Sequence, residues 1–226
     1  MLQNIKKNLH INKKAGMSYI ELIVVLSIFS VLSSVVIYNY GDFQSKVDIK
    51  NLSSEIGLKI VEAQKSSLSG LLPQLSVSPT WKPSYGVHFD FNDKELSQTG
   101  FIYFTDLDSN GLFNGANCNG ECLEKITIGK GSKISALNVF YSNSRIVRGG
   151  AQQSSDDGPQ LEPPQNNLGS PLDDLTISFS RPSSGAIINT SAGFSSTVSY
   201  VQIIVISPKS TTSIINVYPS GRIEVI

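Results

Sequence analysis

Oxygen-bearing side chains at alternating positions are the sharpest chemical signal in this chain. Asp106, Asp108 and Asn110, followed by Gly111, spell D-x-D-x-N-G. Such a run opens a calcium loop, in which alternate oxygens converge on one ion and glycine permits a sharp turn. An EF-hand closes with Glu at the twelfth position, which here is Asn117, so Glu121 or Glu124 would have to complete a loop of another kind. The same residues also suit a turn whose Asx side chains bond nearby backbone while Gly111 takes positive φ. Calcium is the one cofactor the sequence suggests, and both readings stand. Cys118-Asn119-Gly120-Glu121-Cys122 lies in the same stretch. A zinc site needs about four ligands, yet the chain has only 2 Cys and 2 His, so a local disulfide is the better reading. Closing so small a ring should stabilise by less than the roughly 3 kcal/mol expected of a fifteen-residue loop.

Catalysis finds little support. The chain has no G-x-S-x-G, no H-E-x-x-H and no Gly-rich phosphate loop, the signatures of activated serine, zinc hydrolysis and phosphate binding. His88 sits in a strand-like alternation and reads as a half-exposed strand residue rather than a general base. No enzyme is expected. Lys125, Lys130, Lys133, Arg145 and Arg148 form a stretch without acids, either a phosphate-facing patch or a solvated face. Lys+Arg and Asp+Glu both total 18, so a globally basic nucleic-acid binder is disfavoured.

The elements that must carry these residues follow from patterning. Met17–Tyr38 is apolar except for small serines and Glu21, long enough as a helix to cross a bilayer core. An ionised carboxylate there costs roughly 2.5–3.5 kcal/mol unless it finds a partner. Residues 1–16 carry Lys6, Lys7, Lys13 and Lys14 and no acid, which places them in the cytoplasm and the body outside by the positive-inside rule. From 39 to 70 the pattern turns amphipathic, with Phe43, Val47, Leu52, Ile56, Ile60 and Ala63 near helical spacing, and Gly70 ends it. Beyond it, short β-branched and aromatic runs predict strands near 74–78, 85–91, 100–105, 124–129, 134–141, 174–180, 185–190, 198–206, 212–218 and 221–226. Residues 148–173, rich in Pro, Gly and polar side chains, read as a flexible loop in this head. The expected fold is α+β: a transmembrane then amphipathic N-terminal helix packed on an antiparallel β-rich head, residues 71–226.

Gly16, Met17, Ser18-Tyr19-Ile20, Glu21 and the apolar Leu22-Ile23-Val24-Val25-Leu26 resemble the start of type IV prepilins and pseudopilins: a basic leader ending in Gly, an apolar residue, Glu at the fifth mature position and a long apolar helix. Met17 stands where Phe is usual and Tyr19 where Leu is usual. The run from Gly100 through Asp106 to Gly111, the segment Ile177-Ser178-Phe179 leading to Arg181-Pro182 and Gly185, and the terminal Val217–Ile223 are similar to the GspH/FimT-type minor pilins, with Phe101 where Trp is common. The resemblance implies cleavage after Gly16 by a prepilin peptidase and N-methylation of Met17. It also implies that Glu21 meets the amine of a neighbouring subunit in a type IV pilus or type II secretion-type filament. Its partners would be other pilins, the peptidase and an inner-membrane assembly platform. Loss of 1–16 would leave fourteen basic against eighteen acidic residues, about −4. An alternative is a minor pilin for DNA uptake. That branch uses paired C-terminal arginines, of which this chain keeps Arg222 and has Glu224 near the second; Lys130, Lys133, Arg145 and Arg148 would join it.

Overall fold

Ser18 starts and Gly70 stops a single helix, α1, Tyr19–Ser69. The Leu22 amide closes its first turn by donating to the Ser18 carbonyl at 3.1 Å. At the other end Gly70 takes φ 62°, its amide donates to Ser67 O and that of Leu71 to Ser66 O. This pair of bonds satisfies carbonyls that a helix end leaves without partners, and the left-handed residue between them favours glycine. The computed structural model describes Gly16 and residues 18–73, 83–93, 96–115, 120–142, 146–150, 172–190 and 197–226. The strand expected at 74–78 lies outside these.

The chain divides into two units, Met1–Phe43 and Gln44–Ile226, with the boundary inside α1. In the first unit the large apolar side chains of α1, from Tyr19 to Phe43, are all exposed. Glu21 is exposed among them. The helix is long and apolar enough to cross a membrane, and none of its most apolar window is buried.

In the second unit α1 buries Ile49, Ser53, Ile56, Gly57, Ile60, Ala63 and Ser67, a stripe at helical spacing. Phe43 and Val47, expected on that stripe, are 64% and 36% exposed, so the amphipathic face starts later than the periodicity suggested. Gly57 is buried on that stripe, and a Cβ there would meet Val225 Cγ2 at 3.4 Å, an ordinary van der Waals contact.

The strands are β1 Ser84–Asp90, β2 Gly100–Asp106, β3 Cys122–Thr127, β4 Lys133–Tyr141, β5 Ile146–Gly150, β6 Asp174–Phe179, β7 Ala186–Asn189, β8 Val198–Ile206, β9 Thr212–Val217 and β10 Ile223–Val225. They form two five-stranded sheets, ordered β3-β2-β1-β6-β7 and β10-β9-β8-β4-β5. Every pairing is antiparallel. The architecture is therefore α+β, as expected. One face of each sheet supplies a common core, in which Tyr85, Val87 and Phe89 of β1 join Val201, Ile203 and Val205 of β8 and Ile56 and Ile60 of α1. β8 alternates along its length, as a half-buried sheet requires.

Three strands of the first sheet depart from that rule, β1 and β6 being buried at all but one position each. β2 is buried at every position, because Leu96, Ile102, Phe104 and Cys122 form a second cluster with Phe113 packed against it. β5 was not expected as a strand, yet it pairs with β4 from Ala136↔Gly150 to Phe140↔Ile146. The loop predicted near 148–173 thus begins inside a strand, and its residues 151–171 lie outside the described ones.

Candidate metal centre

The acidic turn begins where β2 runs out of sheet. Asp106 is the last residue of β2 and is 1% exposed. A register shift between Tyr103 and Phe104 lets Phe104 face Cys122, and the Thr105 amide donates to Glu121 O at 2.9 Å. These bonds bring Glu121, 5% exposed, beside the end of β2. Its Oε1 accepts from the Leu107 amide at 2.7 Å and its Oε2 from the Asn114 amide at 2.8 Å. One carboxylate so holds both ends of the turn.

The turn's own acids complete the cluster. Asp108 Oδ1 accepts from the Asn110 amide, and its Oδ2 from the side-chain amides of Asn110 and Asn114 at 2.9 and 2.7 Å. Asp106 Oδ2 accepts from the Gly111 amide at 2.9 Å, whereas Asp106 Oδ1 is buried without a hydrogen-bond partner. Asp106, Asp108 and Glu121 each present a carboxylate oxygen, all within 4.8 Å of one another. Among the described residues no basic side chain pairs with any of the three.

Position and rigidity come from three further contacts. Gly111, at φ 75°, offers its carbonyl to Asn189 Nδ2 at 2.9 Å. A Cβ at Gly111 would lie 2.9 Å from that same nitrogen. Phe113 meets Phe104 edge-on, with centroids 5.5 Å apart, and lies 5.1 Å from the His88 ring. The turn is pinned to the outer face of the first sheet.

Electrostatics follow from this crowding. Burial pushes the Asp106 carboxyl above the ordinary range, and the neighbouring Asp108 adds to the rise. Burial likewise raises Glu121, with Asp108 and Asp106 contributing, although its two backbone donors oppose the shift. Two ionised carboxylates about 5 Å apart repel by roughly 3 kcal/mol at an effective dielectric near 20. A hard cation with oxygen preference would reverse the sign of that interaction.

The structure brings some of the sequence-proposed ligands together and not others. Asp106 and Asp108 converge, but the Asn110 oxygen accepts from the Leu112 amide at 2.7 Å and so serves the turn. Between the two glutamates the geometry chooses Glu121, because Glu124 reaches across to Lys59 Nζ at 2.7 Å. His88, expected to be half-exposed, is 8% exposed on β1 and shares a 2.8 Å hydrogen bond through Nδ1 with Thr176 Oγ1.

No protein-family model, no curated protein and no solved structure matches the chain.

The remaining sequence-predicted residues are scattered. Gly16 is exposed, and a Cβ there would meet nothing within 4 Å, while Met17 and residues 1–15 lie outside the described residues. Cys122 opens β3, and its expected partner Cys118 is also outside. Of the basic set, Lys130 pairs with Asp48 at 2.8 Å, and Lys133 starts β4 exposed. Arg148 is in β5 and Arg145 is outside the described residues. Arg222 lies 4.0 Å above the Tyr218 ring and 3.3 Å from Glu224. It precedes β10, at the opposite edge of the sheet from β5. Five strands set those edges about 19 Å apart, so Arg148 and Arg222 do not converge.

Proposed function

We propose that the chain is a structural filament subunit of the type IV pilin or pseudopilin kind, most similar to the GspH/FimT-type minor pilins. One observation carries this reading: the exposed apolar half of α1 has Glu21 as its only formally charged side chain before Asp42. Left in lipid, that carboxylate is costly. Cleavage after Gly16 gives it a reason, since the new Met17 amine of a neighbouring subunit would neutralise it when helices bundle. The pairing then favours ordered passage from bilayer to filament, one subunit per step.

In this account the helix spans the inner membrane before assembly, and the β-rich unit stays on the far side of it. A Cys118–Cys122 disulfide would fix the shape of the turn in that oxidising compartment; two titratable thiols in protein secreted under oxidising conditions would remove it. DNA uptake is the weaker reading. Arg222 already has Glu224 as a partner, and a salt-sensitive gel shift is the result that would revive it.

Glu21→Ala tests the assembly role. The variant should insert in membranes as the parent does, yet be missing from sheared filaments. Normal incorporation would contradict the proposal.

A further inference from the structure

We propose that the turn joining β2 to β3 is a calcium site, with Asp106, Asp108 and Glu121 each giving one carboxylate oxygen and water completing the shell. The sequence motif suggests an ion, but three features of the folded chain argue for it independently of any filament. Two oxygens each about 2.3–2.6 Å from one Ca²⁺ lie at most about 5 Å apart. The three ligand oxygens, all within 4.8 Å of each other, therefore lie within the span that a single ion bridges.

The second feature is Asp106. Its side chain is almost wholly buried, and Oδ1 has no partner, although a buried acceptor left unsatisfied is costly. A cation among the three carboxylates supplies what that oxygen lacks. The third is that Glu121 keeps capacity for an ion, because each carboxylate oxygen can accept twice and the Leu107 and Asn114 amides occupy one position on each.

Ligand chemistry selects the metal. An all-oxygen, carboxylate-rich set suits calcium, whereas zinc prefers nitrogen and sulfur. With only three protein carboxylates the affinity belongs with extracellular modules, an apparent Kd of roughly 0.1–1 mM. Bound ion would tie Leu107, Asn114 and the start of β3 into one unit.

The test uses the full chain in detergent micelles after removal of metals with chelator, with calcium chloride as the probe. Saturable binding of one equivalent is expected, and 10 mM calcium should raise the melting midpoint by about 3–10 °C. Asp108→Asn keeps an acceptor for Asn110 at an exposed position and removes the charge. It should fold with a metal-free midpoint close to that of the parent and bind calcium at least tenfold more weakly. Glu124→Gln, outside the cluster, should respond to calcium as the parent does. The site is refuted by no saturable response up to 10 mM, by an undiminished response in Asp108→Asn, by loss of response in Glu124→Gln, or by an equal rise with magnesium.

Discussion

His88 is a buried imidazole held by one hydrogen bond to Thr176. Burial lowers its pKa from 6.5, and the carboxylates of Asp174, Asp90 and Asp93 offset only part of that effect. The unfolded chain therefore takes up a proton first as pH falls. Its contribution to stability is complete above pH 6.5 and is lost as pH drops from there through the folded value. Thermal melts at pH 7 and pH 5 should show a larger fall for the parent than for His88→Asn, which can keep the bond to Thr176. Equal falls would mean that His88 does not set the acid sensitivity. At this same scale the sequence showed the acids of the turn but not their order of use. Asn110 carries a suitable oxygen, yet Leu112 takes it. Glu121 and Glu124 are equivalent in the sequence until pairing sets Glu124 opposite Tyr103, where it reaches Lys59, and leaves Glu121 beside the end of β2.

Elements were more legible than sites wherever one face alone is buried. The second half of α1 shows this, because Ile56 is fully buried while Leu58, two residues on, is 67% exposed. Ile56→Ala should cost about 2–5 kcal/mol of unfolding free energy, as large-to-small changes in a packed core do. Leu58→Ala should change it by less than about 0.5 kcal/mol. Denaturant titration of both variants checks this, and similar losses would contradict the assigned face. β5 escaped notice because Ile146-Val147-Arg148-Gly149-Gly150 holds two strand formers and two glycines. Gly149 is there for packing, since the Leu172 backbone fills the place of its Cβ. Phe43 and Val47 misled for the opposite reason: apolar character next to an exposed apolar stretch does not mark a core face.

For the whole molecule, the exposed apolar helix and the β-rich unit with its own core are what the proposed filament subunit, passing once from lipid to a bundle of like helices, would need. Composition announced that division, because apolarity without periodicity gives way to amphipathic spacing along a single helix. The two-sheet arrangement was less visible, as pairings such as β4 with β8 join segments far apart in the chain. The central claim is that Gly16 and Met17 are separated before Glu21 finds its partner. The most direct measurement is the mass of the N-terminal peptide from membrane and sheared-filament fractions. The account predicts a peptide beginning at methylated Met17 and present in filaments. A peptide beginning at Met1 and confined to membranes would contradict it.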